Sequence, residues 1–216
     1  MSRHAPSRSP NVQERPLREV RATFTDTTIR VYQAYSPEIA TSAVRAQTFV
    51  PPFSRGRMTW IKPSFTWMMY RSGWAEKAGQ ERILAVDILR SGFESALARA
   101  SLSHFDRTLH ATPDEWGAEL KRSPVRIQWD PERTLALQPL HWRAIQIGLE
   151  GEAVNAYVDE WIQNIADITD LSRTVRRTLT QEGPEAAAEL LSAERPYPLP
   201  REIAEHIGAS TGTPYP

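Results

Sequence analysis

The segment that begins at Thr28 constrains the fold most, because a strand pattern there passes directly into a helix pattern. Residues Thr28–Tyr35 (TIRVYQAY) are rich in β-branched and aromatic side chains that alternate along the chain, which predicts a strand. The side chains expected on one face of this strand are Ile29, Val31 and Gln33. Ser36 then supplies a helix N-cap, Pro37 suits the first helical position, and Glu38 lies in the first turn. We therefore expect a strand, a short turn and a helix of about ten residues.

Further along the chain, strand and helix patterns follow one another without an internal repeat. Strands are predicted at residues 58–61, 82–88, 125–129, 135–137 and 144–147. Helices are predicted at residues 63–71, 91–100, 151–164, 171–179 and 185–191. Residues 130–133 (DPER) are predicted to form a turn. This order predicts an α+β fold, with a mixed or antiparallel central sheet and flanking helices.

The length and the uneven composition set the expected domain boundaries. A chain of 216 residues with 40% hydrophobic residues can bury one good-sized core. Residues 1–17 are polar and rich in Ser, Pro and Arg, which predicts a disordered leader. A single domain is expected over residues 18–192. Residues 193–216 contain repeated prolines and are predicted to form a flexible tail.

Composition excludes several classes of protein. The chain contains no cysteine, which excludes disulfides, cysteine nucleophiles and cysteine-ligated metals. No signal peptide and no apolar segment of membrane-spanning length is present, so a cytoplasmic protein without membrane contact is expected. The formal net charge is zero, which disfavours a general polyanion binder. The charge is unevenly placed, since residues 1–75 carry 11 Lys and Arg but only 4 Asp and Glu.

The segment from Phe49 to Trp74 combines aromatic and basic residues, and no acid lies between Glu38 and Glu76. Stacking faces beside cationic donors suit a ligand with a planar ring and an anionic group. Apolar side chains at helical spacing more often fill a core, and we assign that role to Phe65, Trp67, Met68 and Met69. Cations without nearby acids face water, a distant acid or a ligand. The candidate ligand-binding residues are Tyr32, Gln33, Arg55, Arg57, Trp60, Lys62, Tyr70 and Arg71.

Familiar catalytic motifs are absent from the sequence. It has no Walker loop, no GxGxxG, no HExxH and no GxSxG. The five histidines are scattered, and no metal site is predicted. Among the carboxylates we retain Glu150 as the candidate catalytic residue, because it follows a predicted strand and could face a cleft. A helix-capping role for Glu150 is the plainer alternative.

Several distinctive sequence motifs resemble those of an uncharacterised family. The motifs are RVYQAYS, TFVPPF, RMTWIKPSFTWMMYRSGW, GQERILAVDI, VRIQWDPER, RAIQIGL and YVDEW. With them, residues from about 18 to 169 resemble a bacterial and fungal family known as domain of unknown function 4291. This resemblance implies no established activity.

A more distant similarity is to ADP-ribosyltransferase-like domains. The run VYQAYSPE, followed by a helix and Phe49, is similar to the opening of those domains, whose first strand usually reads Tyr-His-Gly-Thr. The resemblance implies an ADP-ribosyltransferase-like fold with NAD as cofactor, Gln33 at the NAD ribose and amide, and Trp60 or Tyr70 beside the nicotinamide. Gln33 and Ala34 depart from the motif, and Glu150 is the nearest substitute for the late-strand glutamate. These departures put catalysis in doubt more than nucleotide binding.

Two functional hypotheses follow, with a plainer third. In the first, an ADP-ribosyltransferase-like domain binds NAD or a related small nucleotide, with Arg55, Arg57 and Lys62 on phosphates and Tyr32 or Trp60 stacked on a ring. In the second, a non-catalytic module binds RNA or DNA through the same aromatic and Arg-rich surface. In the third, the tryptophan-rich segment only packs a core. The acidic remainder of the chain favours a small nucleotide over a polymer.

Overall fold

A computed structural model describes residues 15–210, and within them strands and helices alternate as expected of an α+β domain. The strands are β1 (Arg21–Ala22), β2 (Thr28–Tyr35), β3 (Thr59–Ile61), β4 (Arg82–Leu89), β5 (Ala100–Leu102), β6 (Val125–Arg133), β7 (Pro139–Leu149), β8 (Ile162–Asp167) and β9 (Arg195–Pro196). The helices are α1 (Pro37–Ala46), α2 (Phe65–Ser72), α3 (Arg90–Ala98), α4 (Pro113–Arg122), α5 (Glu152–Ala156), α6 (Thr169–Gln181), α7 (Pro184–Glu189) and α8 (Arg201–His206). A π-helical turn, Tyr157–Trp161, follows α5.

The strands of the described residues form three sheets. One sheet has the order β2-β4-β8 and is antiparallel throughout. The second has the order β3-β7-β6-β5, and its edge strand β5 is parallel to β6. Strands β1 and β9 form a small antiparallel pair. The α+β class is therefore confirmed, with the strands divided among three sheets.

The three-stranded sheet is buried on both faces. Ile29 and Val31 of β2 point into the larger hydrophobic core, which also contains Ile147 of the four-stranded sheet. Tyr32 points the other way, into a second core that includes Met69 of α2. Because successive residues of a strand face opposite sides, the sheet forms the middle layer between these two cores.

A backbone contact between Tyr32 of β2 and Lys62, which follows β3, links the two larger sheets. The N–H of Tyr32 donates to the carbonyl of Lys62 (2.7 Å), and the N–H of Lys62 donates to the carbonyl of Tyr32 (3.3 Å). Lys62 follows β3 directly, and Ser64 then caps α2 by accepting from the N–H of Trp67 (3.1 Å). The segment between β3 and α2 is thus held at both ends.

Several predicted elements are confirmed. The structure contains the strand Thr28–Tyr35, the helix that begins at Pro37, and the helix α2, whose end is marked by Gly73 with a positive φ. The apolar residues assigned to the core, Phe65, Trp67, Met68 and Met69, are buried. Helix α3 begins at Arg90 rather than at Ser91, and its N-cap residue Leu89 makes no side-chain capping bond.

Other predicted elements were wrong. Residues 130–133 continue strand β6 through an irregularity of the β6–β7 pairing near Pro131, and residues 135–137 form the turn instead. The predicted helix over residues 151–164 ends at Trp161, because the segment from Ile162 pairs with β4 as strand β8. Tertiary pairing outweighs local periodicity here.

The segment after residue 193 is packed against the domain, which corrects the prediction of a loosely attached tail. Tyr197 and Ile207 belong to the larger core, and the Trp129 indole N–H donates to the Ile207 carbonyl (2.9 Å). The predicted leader falls mostly on residues 1–14, which lie outside the described residues, as do residues 211–216 of the predicted tail. Among residues 15–210, no helix has the length and apolar character needed to cross a membrane.

Candidate functional site

One face of the four-stranded sheet is polar, whereas the other packs into the larger core. The polar face carries side chains that alternate with buried Ile127 and Ile147 along β6 and β7. Its members are Trp60, Arg126, Gln128, Asp130 and Gln146, with Gly148 among them. We call this surface, together with Lys62, the polar face.

Three polar side chains form a hydrogen-bonded chain across this face. The amide nitrogen of Gln146 donates to Asp130 Oδ2 (2.6 Å) and to Gln128 Oε1. All three side chains are half-buried. Within the described residues, the Gln128 amide N–H₂ and the Gln146 side-chain carbonyl have no further partner, so a donor and an acceptor remain for a ligand.

The Trp60 ring packs closely against the sheet because residue 148 is a glycine. A Cβ atom at Gly148 would lie 3.0 Å from two carbons of the Trp60 ring and 2.8 Å from Met58 Sδ. Only glycine gives the ring this close approach. The indole is half-buried, so part of its surface remains accessible beside the hydrogen-bonded chain.

Lys62 is the least ordinary residue of the polar face. Only 4% of its surface is exposed, and no described residue forms a hydrogen bond or a salt bridge with its ammonium group. Burial and, to a smaller extent, the nearby Arg71 guanidinium lower the pKa of Lys62 to about 7, and the Asp130 carboxylate acts in the opposite direction. Lysine is almost never fully buried without a partner. A partly neutral amine therefore lies next to a fixed positive charge.

Asp130 is the carboxylate that faces Lys62. Its pKa is raised by burial, while the Gln146 hydrogen bond and the charges of Lys62, Arg143 and His104 act in the opposite direction. Since no ion pair closes between Asp130 and Lys62, both groups keep a perturbed proton affinity. Such pairs of perturbed groups are typical of functional sites.

Two further carboxylates lie at the N-terminus of α2, next to the polar face. Glu194 accepts from the N–H of Phe65 (2.7 Å), and Glu132 accepts from the Thr66 hydroxyl (3.1 Å) and the N–H of Arg133 (2.8 Å). Burial raises the pKa of Glu194 to about 8 and also raises the pKa of Glu132. These acids hold the start of α2, the helix that carries Arg71.

The outer side of α2 carries a stack of rings with a guanidinium over it. Tyr70 stacks on Trp67 at a centroid distance of 5.1 Å, and the Arg133 guanidinium lies 3.6 Å from the centre of the Tyr70 ring. Trp67 Nε1 and Arg133 Nε are both buried without a hydrogen-bond partner among the described residues. The stack fixes the end of β6 against α2.

The structure brings only some of the sequence-predicted ligand residues together. Trp60 and Lys62 lie on the polar face, Arg71 of α2 is close enough to Lys62 to lower its pKa, and Tyr70 directly precedes Arg71 in α2. The Gln33 amide lies in the interior, where it donates to Tyr35 Oη (2.9 Å) and to the Trp60 carbonyl (3.2 Å) and accepts from the Tyr157 hydroxyl (2.7 Å).

The remaining predicted residues lie elsewhere. Tyr32 is buried edge-to-face against Phe65. Arg55 forms a bidentate ion pair with Asp159 (2.6 Å for each contact). The cation is thus neutralised by an acid that is distant in sequence. Arg57 is exposed in the loop before β3. Glu150 is exposed at the end of β7, beyond Gly148 and away from Lys62.

Sequence reasoning missed Gln128, Asp130, Gln146, Glu132 and Glu194. A signal for the first two was present, because Arg126, Gln128 and Asp130 are polar at every second position. The prediction of a turn at residues 130–133 ended the strand too early to use it. Glu194 gives no local signal, since its contact with Phe65 spans 129 residues.

A separate groove of ≈ 430 Å³ lies between α6 and the turn after α2. Two of the three arginines that line it pair with acids, Arg176 with Glu76 and Arg173 with Asp170 (3.1 Å), and the third, Arg177, donates to the Thr174 hydroxyl (3.3 Å). Both ion pairs are largely exposed, so they contribute little energy. This groove lacks the buried, unpaired charge that distinguishes the polar face.

Comparison with known proteins places the chain in a family but gives it no activity. In residues 15–210, no group of three or more His, Asp or Glu side chains is arranged to hold a metal ion. No curated protein matches the chain. A family model described as a domain of unknown function, DUF4291, matches residues 19–197. The match covers most of the chain and includes the polar face, α2 and Glu194, and the chain therefore belongs to the DUF4291 family.

Proposed function

We propose that this protein binds a small nucleotide-like ligand on the polar face. The observation that carries the proposal is the pair of cations Lys62 and Arg71, neither of which forms a salt bridge with a described residue. An anionic group held by Arg71 would neutralise the fixed charge beside Lys62 and so remove the repulsion between the two cations.

The neighbouring side chains suit the rest of such a ligand. The accessible part of the Trp60 indole offers a stacking surface for a planar ring. The Gln128 amide and the Gln146 carbonyl offer one donor and one acceptor for ring or ribose atoms. Phosphate, ring and hydrogen-bonding groups occur together in nucleotides, and the ADP-ribosyltransferase resemblance makes NAD the first ligand to test.

Thermal unfolding in the presence of NAD, ADP-ribose and AMP tests the binding. A ligand at about 100 times its Kd stabilises the folded state by about 2.7 kcal/mol. We expect this stabilisation to vanish in Lys62→Met and to require at least about tenfold more ligand in Arg71→Ala, because a charge-assisted contact is lost. Arg122→Ala, which removes an exposed arginine of α4, is the matched control and should bind normally.

The outcomes separate the nucleotide from its alternatives. If none of the three ligands stabilises the wild-type protein, the nucleotide proposal fails. If short RNA or DNA binds instead, with an affinity that falls steeply with salt, the ligand is a nucleic acid. Release of nicotinamide from NAD, alone or with an acceptor, would show transferase or hydrolase activity. A Glu150→Gln variant then tests whether Glu150 is its catalytic carboxylate.

A further inference from the structure

The chain contains three lysines, and they differ sharply in environment. Lys77 and Lys121 are exposed, and Lys77 Nζ donates to the Arg71 carbonyl (2.8 Å). Lys62 is buried and its amine has no partner among the described residues. An amine that is enclosed and not engaged in a hydrogen bond keeps its lone pair available whenever it is neutral.

The Lys62 side chain is also anchored at its base. Its backbone N–H and carbonyl both bond to Tyr32, and Pro63 follows it in the chain. A fixed backbone limits where the amine can lie, which favours a defined reaction geometry. The half-buried Gln128, Asp130 and Gln146 lie on the same face of the sheet as Lys62, so a small ligand that contacts them can approach across the polar face.

The charged groups around Lys62 favour a neutral amine next to a proton carrier. Arg71 of α2 is the facing cation, and Asp130 of β6 is the facing acid. Arg143 and His104 act on Asp130 in turn. The pKa of Lys62 is lowered to about 7 mainly by burial, so a substantial fraction of the amine is neutral at physiological pH.

We propose that the Lys62 amine is a nucleophile that forms an imine with a ligand carrying an aldehyde or ketone beside its anionic group. The inference rests on the ligand site proposed above and specifies the chemical class of the ligand. Arg71 holds the anionic group, Trp60 contacts the ring, and the carbonyl carbon lies at the Lys62 amine.

The reaction balances without an added oxidant or reductant. The nitrogen lone pair of Lys62 attacks the carbonyl carbon, the C=O electron pair moves to oxygen, and that oxygen gains the proton that the nitrogen loses. A second proton, delivered by Asp130, converts the hydroxyl into water, which leaves as the C=N bond forms. The remaining N–H proton of the resulting iminium returns to Asp130, the acid whose charge acts on Lys62.

Pyridoxal 5′-phosphate is a suitable probe, because it carries an aldehyde, a planar ring and a phosphate. The wild-type protein is incubated with this probe at pH 7 and reduced with borohydride, and the modified lysines are identified by peptide mass spectrometry. We expect Lys62 to be modified at least about tenfold more than Lys77 and Lys121, since the lowered pKa of Lys62 leaves part of its amine neutral at this pH. Preferential modification of Lys77 or Lys121 would overturn the inference.

Two control ligands keep this test separate from that of the proposed function. Pyridoxine 5′-phosphate has the same ring and phosphate but no aldehyde, and it should protect Lys62 from the probe without forming an adduct. NAD should protect Lys62 in the same way if it binds the polar face. If these ligands bind and the probe still leaves Lys62 unmodified, Lys62 is not a nucleophile, but the proposed ligand site on the polar face is supported. Modification of Lys62 that NAD does not reduce would support the nucleophile and count against NAD as the ligand.

Discussion

At the scale of single residues, Lys62 stands out because its burial works against folding. An ammonium group loses hydration energy on burial, and a carboxylate at ion-pair distance normally compensates for that loss. At Lys62 no such carboxylate is present among the described residues, and Asp130 acts only from farther away. A residue that destabilises its own fold is expected where function requires it.

Lys62→Met should therefore stabilise the protein by about 1–4 kcal/mol near pH 6.5. The pKa of Lys62 is about 7 in the folded state and lies near 10.5 in the unfolded state. Between these values the unfolded chain binds more protons, so wild-type stability rises with pH. The advantage of the variant should accordingly shrink by pH 9.5. Urea unfolding at both pH values measures the difference in unfolding free energy between variant and wild type. A variant less stable than wild type at pH 6.5 would show that the burial of Lys62 does not destabilise the fold.

Gln33 is held by contacts inside the protein, and its replacement separates a structural role from a ligand-binding one. Gln33→Leu leaves the Tyr157 hydroxyl and the Trp60 carbonyl without their partner, which should cost about 1–3 kcal/mol. Ligand stabilisation should persist, because the amide points into the core. Urea unfolding and ligand titration of the variant decide between the roles. Unchanged stability with lost ligand binding would restore Gln33 as a ligand residue.

Replacement by alanine should have opposite effects on stability at two helical glycines, Gly92 and Gly117. A Cβ atom at Gly92 would lie 2.4 Å from Trp161 Cγ, whereas one at Gly117 meets nothing within 4 Å. Gly92→Ala should destabilise the protein by about 1–3 kcal/mol through overpacking. Gly117→Ala should stabilise it by about 0.5–1 kcal/mol through reduced chain entropy. Denaturation midpoints of the two variants, measured side by side, check the sign of each effect.

At the scale of elements, the C-terminal segment fixes the start of α2, the helix that carries Arg71. Glu194 accepts the N–H of Phe65, and the Arg21 guanidinium donates to the Glu194 carbonyl (2.8 Å). The pKa of Glu194 is about 8 in the folded state because of burial, compared with an ordinary value near 4.5. The protonated acid is thus the form that the fold favours.

The contribution of Glu194 to stability should fall as pH rises from about 4.5 through 8, because the folded state binds the extra proton in this range. Glu194→Gln keeps the acceptor for Phe65 but cannot ionise. We expect the variant to match wild type near pH 5 and to exceed it by about 1–3 kcal/mol at pH 9. Chemical unfolding across this range tests the slope. If the free energies of unfolding of wild type and variant changed with pH in parallel, Glu194 would not have a raised pKa in the folded protein.

The elements that sequence patterns predicted are those whose signals are local. Thr28–Tyr35 alternates cleanly, Pro37 marks a helix start, and Gly73 marks a helix end, so these boundaries could be predicted. Strand β8 could not, because its residues continue a helical pattern and become a strand only by pairing with β4. The candidate site divides in the same way: Trp60, Lys62 and Arg71 lie within one segment, whereas Asp130 and Glu194 reach it only through the fold.

At the scale of the whole molecule, strands β2 and β4 join two hydrophobic cores into one unit. Along β4, Leu84 and Val86 face the larger core, and Ile83 and Ala85 face the second. The same strands therefore lose packing on both sides if either core opens. This arrangement predicts cooperative unfolding rather than stepwise loss of the α2 layer.

Ile147→Ala in the larger core and Met69→Ala in the second should each destabilise the protein by about 2–5 kcal/mol, because both side chains are fully buried. In each variant, far-UV circular dichroism and tryptophan fluorescence should give coincident transitions, since tryptophans lie in both cores, Trp161 in the larger and Trp74 in the second. Guanidinium titrations followed by both probes make the comparison. If Met69→Ala shifted the fluorescence transition below that of circular dichroism, the α2 layer would unfold separately. The ligand site would then lose Arg71 while the sheets remain folded, and ligand binding in that variant would disappear at the earlier midpoint.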